Sequence, residues 1–208
     1  MGAESESGGR PELDDQVRLL LETKGVNAAA THALRALGPE ILGFIVGVVR
    51  NRDDANEIFS ATSERLWRSL PCFQQRCSLR TWTYVIARHE IARFYDSERR
   101  HCAGRVPISE IEDVVAALTT QTRQTQPLTE LRDKFTKLRD DLPVDDRMLL
   151  VLRVDRQLPW DAIALAFADA PEACGDDERK REAARLRKRF QIVRDRLMAR
   201  VRAEGLVT

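Results

Sequence analysis

In the run Leu79-Arg80-Thr81-Trp82-Thr83-Tyr84-Val85-Ile86-Ala87-Arg88-His89, the apolar residues Leu79, Trp82, Val85 and Ile86 recur at three- and four-residue steps. That spacing belongs to one face of an α-helix. Phe94 continues the same face, so a helix is predicted from Ser78 to about Glu98. Upstream, Ile58, Phe59, Thr62, Leu66 and Trp67 repeat the pattern and stop before Pro71, and Asn51-Arg52-Asp53-Asp54 supplies an N-cap. Further back, Gly38-Pro39 is expected to break the chain before a segment from Glu40 to Val49. Lys24-Gly25 is a second expected break, between Val17, Leu20, Leu21 and Ala28, Ala29, Leu34, Leu37. The first twelve residues are rich in Glu, Ser and Gly and read as a disordered tail. Residues 13–100 therefore form a first helical domain.

Downstream the pattern lapses. Residues 101–127 contain Pro107, Pro127 and the polar run Thr119-Thr120-Gln121-Thr122-Arg123-Gln124-Thr125-Gln126. Too little apolar area is available there to offset chain entropy, which predicts a linker with one short helix at Ile108–Leu118. Helical spacing resumes at Leu128, and residues 128–208 form a second domain. In it, Asp145-Asp146 opens one helix, Leu158-Pro159-Trp160 a short second one, and Glu178 or Arg179 a long last one. No stretch alternates with period two. The chain is all-α: two small helical domains joined by a polar linker, the C-terminal one a helix-turn-helix with a turn lengthened at residues 168–178.

Composition narrows the class. The 208 residues are 43% hydrophobic and 32% charged, enough for a packed core. The 34 basic and 33 acidic side chains nearly cancel, but unevenly. Residues 179–202 hold eleven basic and two acidic side chains, whereas residues 1–70 hold eight and eleven. Such a segment in a near-neutral chain suggests a localised polyanion contact. The longest apolar run, Ile41 to Val49, is about half of the ~20 residues a membrane-spanning helix needs. Nothing at the N-terminus has the form of a signal peptide. Four scattered cysteines (Cys72, Cys77, Cys102, Cys174) do not make a disulfide scaffold, and a cytoplasmic protein with reduced thiols is expected. Cys72 and Cys77 with His101 and Cys102 are a poor zinc set, since no second close pair completes it. No Gly-rich phosphate loop, nucleophile elbow or partnered histidine is present, so neither a cofactor nor an enzyme activity is expected.

Two surfaces carry the functional signal. On the last helix, Leu186, Phe190, Val193 and Leu197 fall in one apolar stripe. Arg181, Ala184, Lys188 and Gln191 lie opposite, flanked by Arg185 and Arg187. A solvated basic face would show the same charges, but the short helix before it gives helix-turn-helix order. Arg and Lys can donate to guanine, Gln can pair with adenine, and Arg179, Lys180 and Arg194 can hold phosphates. The second surface is aromatic. Six of the twelve aromatic residues (Trp67, Phe73, Trp82, Tyr84, Phe94, Tyr95) lie within 29 residues, among Arg76, Arg80, Arg88, Arg93, Arg99 and Arg100. Rings beside guanidinium groups suit unstacked bases. Trp67, Trp82 and Phe94 also have the spacing of core residues, with Trp82 expected mainly buried and Tyr84 or His89 more exposed.

The stretch Asp54-Ala55-Asn56-Glu57-Ile58, with Leu66-Trp67, Phe73 and Leu79–His89, resembles region 2 of bacterial RNA polymerase sigma factors. Residues 142–164 and the Arg-rich last helix look like region 4. With only a tether between them, the pattern is similar to the extracytoplasmic-function group. The resemblance implies binding to core RNA polymerase and recognition of the −10 and −35 elements of promoter DNA. Carried over by position, it places Asp54, Glu57, Leu66 and Trp67 in a polymerase-binding helix. It places Arg80, Tyr84, Arg88 and His89, with the Phe73–Ser78 loop, near the −10 strand. Arg181, Arg185, Arg187, Lys188, Gln191 and Arg194 would face the −35 duplex. An anti-sigma factor is a further partner that the family admits.

Two rival readings remain open at this point. An autonomous helix-turn-helix regulator would use its N-terminal domain for dimerisation or sensing and bind a palindrome without polymerase. A sigma-like decoy would bind polymerase without initiating, a reading that Ser60-Ala61 and Ser63 suggest because the family pattern there has Gln-Glu and then Phe. The aromatic–arginine cluster at 67–100 favours a promoter-recognition subunit over the autonomous regulator, since a dimerisation domain has no need of it.

Overall fold

The computed structural model describes residues 9–49, 51–102, 138–139, 141–168 and 174–203. Every regular element among the described residues is helical: α1 (Gly9–Lys24), α2 (Val26–Val48), α3 (Arg52–Ser69), α4 (Leu79–Cys102), α5 (Val144–Leu150), α6 (Trp160–Phe167) and α7 (Asp176–Ala203). A single 3-10 turn, Leu70–Cys72, follows α3, and α5 runs on into a π-helical turn, Val151–Asp155.

The caps follow from local chemistry. Gly25, at φ 81°, separates α1 from α2 in a backbone conformation that residues with a Cβ avoid. Asn51 caps α3 by accepting the Asp53 N–H at 2.8 Å. Ser78 Oγ accepts the Thr81 N–H at 3.1 Å, and Asp14 reaches across from α1 to accept the Leu79 N–H at 3.1 Å. The α4 N-terminus is thus capped twice, once by a distant helix.

Several boundaries differ from expectation. Residues 9–12, expected in the tail, already belong to α1, and residues 1–8 lie outside the described residues. Gly38-Pro39 does not break the chain: α2 runs through it. Ala30, Ala33, Leu37, Ile41, Phe44, Ile45 and Val48 form one uninterrupted buried stripe, while Pro39 sits on the exposed side. There the carbonyl it frees, that of exposed Arg35, can meet water. The last helix starts at Asp176 rather than Glu178, since three acidic residues in its first turn complement the helix dipole. Residues 101 and 102 extend α4. The rest of the expected linker, its short helix and the resumption at Leu128 lie outside the described residues.

In the N-terminal half, α1 packs on α2, α2 on α3 and α3 on α4; in the C-terminal half, α5 and α6 pack on α7. The halves also pack on each other, chiefly α4 against α6 and α2 against α5. One apolar cluster includes Val17, Phe44, Ile58, Leu66, Tyr84, Ile91, Met148, Leu152, Ile163 and Leu186, and so draws on all seven α-helices. No helix among the described residues is long and apolar enough to cross a membrane.

Candidate polymerase and DNA interface

Helix α3 buries Ala55, Ile58, Thr62 and Leu66 and turns the other side to solvent. Glu57 is exposed there, Asp54 half-buried, and Trp67 44% exposed with its indole N–H donated to Asn27 Oδ1 at 3.0 Å. Leu66 is completely buried. It holds α3 to the core and is not a surface contact. Its i, i+4, i+8 relation to Ile58 and Thr62 was the available signal.

The loop before α4 is rigidly built. Phe73 stacks on Trp82 with ring centroids 4.8 Å apart, and Gln75 adopts φ 56°, uncommon for a residue with a side chain. Cys72, Phe73, Gln74, Cys77, Trp82 and, from α6, Leu165 line a cavity of about 120 Å³ here. Trp82 is half-buried, so the loop's aromatic platform is partly open.

Tyr84 reverses its expected exposure, since it is 0% exposed. Its ring meets Phe44 edge-on at 5.2 Å, and its hydroxyl donates to Glu40 Oε1 at 2.7 Å. Arg80 donates its Nε to the same oxygen at 2.8 Å, with an Nη2 contact beside it. The Arg80 guanidinium lies 5.5 Å from the Tyr84 ring centre, and Nη2 also donates to the Arg156 carbonyl at 3.2 Å. Burial alone would raise the Glu40 carboxyl. Hydrogen bonds from Arg80 and Tyr84 and the charges of Arg80 and Arg156 outweigh it and hold the group below its ordinary value of 4.5. Burial, then the bond to Glu40, pushes the Tyr84 hydroxyl far above its ordinary value. Arg88 is half-buried with its guanidinium 4.9 Å from the Phe167 ring centre, and His89 is half-buried.

Because Glu40 is more acidic folded than unfolded, its contribution to stability is present above pH 4.5 and fades as pH falls through the folded value. Glu40→Gln should therefore lower stability at neutral pH and show a shallower loss on acidification below pH 4.5. Urea unfolding at several pH values checks this. Asp14 acts with the opposite sign, since burial raises it, so comparing the two proteins isolates Glu40.

Helix α7 keeps its expected facing. Leu186 and Val193 are buried and Phe190 and Leu197 partly so, while Arg181, Lys188 and Gln191 are exposed. Trp160 of α6 meets Phe190 edge-on at 5.6 Å. Arg189, on the flank, donates to Asp146 of α5 at 2.6 Å. Some of the expected DNA ligands have intramolecular partners. Arg185 grips Glu182 through two bonds, Arg194 pairs with Asp195, and Arg187 lies 5.5 Å from the Trp160 ring centre. Glu40, Arg147, Arg156 and Arg189 escaped sequence reasoning. Only Glu40 carried a signal, as the one charged residue between Leu37 and Val49.

The Sigma-70 region 2 family model matches residues 33–101, the segment that contains the last two-thirds of α2, all of α3 and the Phe73–Ser78 loop, and all but the last residue of α4. No curated protein matches the chain. Among solved structures, the chain is similar to the sigma factor RpoE in its complex with the anti-sigma factor NepR from Bartonella quintana. That match has 19% identity and a TM-score of 0.44, and spans 78% of this chain and 94% of that one. In region 2 terms, α3 supplies the exposed Glu57 and Trp67, and the Phe73–Ser78 loop and α4 supply the aromatic and arginine groups.

Proposed function

We propose that this protein is a sigma factor of the extracytoplasmic-function type, a promoter-specificity subunit of RNA polymerase and not an enzyme. The region 2 match carries the reading. Support comes from α3, whose Asp54, Glu57 and Trp67 offer an acidic and aromatic face to core polymerase. The Phe73–Ser78 loop with Trp82, Arg80, Arg88 and His89 suits capture of melted −10 bases by stacking and phosphate contact. Tyr84, being buried, positions Arg80 through Glu40 and touches no base. Helix α7 would lie in the major groove of the −35 element. An anti-sigma factor is proposed as a partner on the resemblance alone, and a cytoplasmic location follows from the polymerase.

Run-off transcription with purified core polymerase on genomic promoter fragments tests the reading: transcripts should start at defined positions only when the protein is added. The same assay and binding-site selection separate the roles on α7. Lys188→Ala should relax the preferred sequence at one −35 position, at a cost of about 1–3 kcal/mol. Arg194→Ala should weaken all sequences alike and lower the salt slope by about one. A changed preference from Arg194→Ala alone would reverse the facing assigned to this helix.

A further inference from the structure

Two of the cysteines meet where the loop before α4 turns back on itself. Cys72 ends the 3-10 turn and is exposed, and Cys77 is half-buried, with Phe73-Gln74-Gln75-Arg76 between them. Neither belongs to a disulfide. Both line the cavity of about 120 Å³ that Phe73, Trp82 and Leu165 help to enclose. The left-handed backbone of Gln75, at φ 56°, bends the segment so that its two ends border one space. Arg76 also lines the cavity, and no carboxylate does among the described lining residues, so a thiolate formed there meets no like charge.

The ends of this segment are held and its middle is not. On one side the Phe73 N–H donates to the Leu70 carbonyl at 3.1 Å and closes the 3-10 turn. On the other, Ser78 caps α4 through the Thr81 N–H, and Asp14 holds the Leu79 N–H. The backbone between is irregular. A covalent link from Cys72 to Cys77 is therefore absorbed by residues 73–76, not by α3 or α4. Phe73 follows Cys72 directly and stacks on Trp82 at 4.8 Å, so the link disturbs that aromatic platform first. Metal is not a competing use of these thiols: no group of three His, Cys, Asp or Glu residues among the described residues could hold an ion.

We propose that Cys72 and Cys77 are a peroxide-sensitive thiol pair that switches the loop before α4. The exposed Cys72 thiolate attacks one oxygen of hydrogen peroxide. The O–O bond breaks, Cys72 becomes a sulfenic acid, and the departing hydroxide takes up a proton to leave as water. The Cys77 thiolate then attacks the Cys72 sulfur, the S–O bond breaks, and a second water leaves as the disulfide closes. Two thiols and one hydrogen peroxide thus give one disulfide and two waters, with two electrons passing from sulfur to oxygen. A small cytosolic thiol reverses the bond by exchange, as suits a transient disulfide in a reducing compartment. The effect on transcription rests on the sigma-factor reading; the thiol chemistry does not.

Peptide mapping of the full chain tests the two parts separately. The protein is treated with hydrogen peroxide, quenched with catalase, blocked with N-ethylmaleimide and digested with trypsin in urea. Trypsin cuts after Arg68, Arg76 and Arg80, so the bond is read by mass spectrometry as Ser69–Arg76 joined to Cys77–Arg80. The expected result is this joined pair, absent without peroxide and removed by dithiothreitol. With it should come at least a tenfold loss of run-off transcript and unchanged retention by core polymerase, since the exposed face of α3 is not involved. Cys72→Ser should give no joined pair and a transcript level indifferent to peroxide. Cys77→Ala should stop the chemistry at the Cys72 sulfenic acid, which dimedone labels, a readout that needs no transcription. Separately alkylated peptides after peroxide overturn the proposal. A joined pair with undiminished transcription overturns the switch and leaves the sigma-factor reading intact. No transcript from the untreated protein would overturn the sigma-factor reading and the switch with it, while a joined pair would still establish the thiol site.

Discussion

Tyr84→Ala should destabilise the protein by about 3–5 kcal/mol, the range for emptying a fully buried aromatic site. For a chain of this length that lowers the melting temperature by roughly 6–20 °C. The ring is completely enclosed, edge-on to Phe44, and its hydroxyl shares one carboxylate oxygen with Arg80. Tyr84→Phe keeps the ring and loses only that bond, so about 0.5–1.5 kcal/mol is expected. The pair of variants separates two roles. A base-stacking tyrosine would lose DNA capture in the Ala variant with little change in melting temperature. A core tyrosine loses stability first, and its Phe variant retains most transcription. Calorimetry beside open-complex footprinting at a temperature where both variants are folded decides between them.

Much of this was legible in the chain before folding, and the misses share a cause. Periodicity placed α3 and α4 closely, because each has one apolar stripe and a polar start: Asn51 for α3 and Ser78 for α4. It also fixed the facing of α7, where Leu186 and Val193 leave little freedom. Periodicity shows that a residue lies on an apolar face without showing how deep it sits. Tyr84 and Trp82 are two residues apart, yet Tyr84 is sealed by α2 and Trp82 is only half-covered. What separates them is the partner each meets, Phe44 and Glu40 against Phe73. The same limit hid Gly38-Pro39, since a helix carries a proline when its wet side takes the loss. It also hid the contact between the halves, which no local pattern in α2 or α5 signals.

Trp67→Ala should weaken binding to core polymerase by about 2–4 kcal/mol, a loss of roughly thirtyfold or more, while leaving the fold nearly unchanged. An indole 44% exposed on a helix has already left much of its area in water, so truncation costs the isolated protein little. The Asn27 bond holds the ring in one orientation, which reduces the entropy lost when a partner covers it. Aromatic residues fixed in this way are favoured as interface anchors. Glu57 lies ten residues earlier, and at ~100° per residue the two point within about 80° of a common direction. Glu57→Arg should therefore add repulsion beside the same contact if the partner surface is basic, slowing association and steepening loss at low salt. Leu66→Ala supplies the contrast. It should cost about 2–5 kcal/mol of stability, because that side chain is fully buried. Measured by pull-down and surface plasmon resonance on immobilised core polymerase, the exposed and buried neighbours on α3 should part company. Trp67→Ala and Glu57→Arg should lose affinity with an intact melting curve, and Leu66→Ala should lose the melting curve first. Wild-type affinity in both surface variants would remove α3 from the polymerase interface.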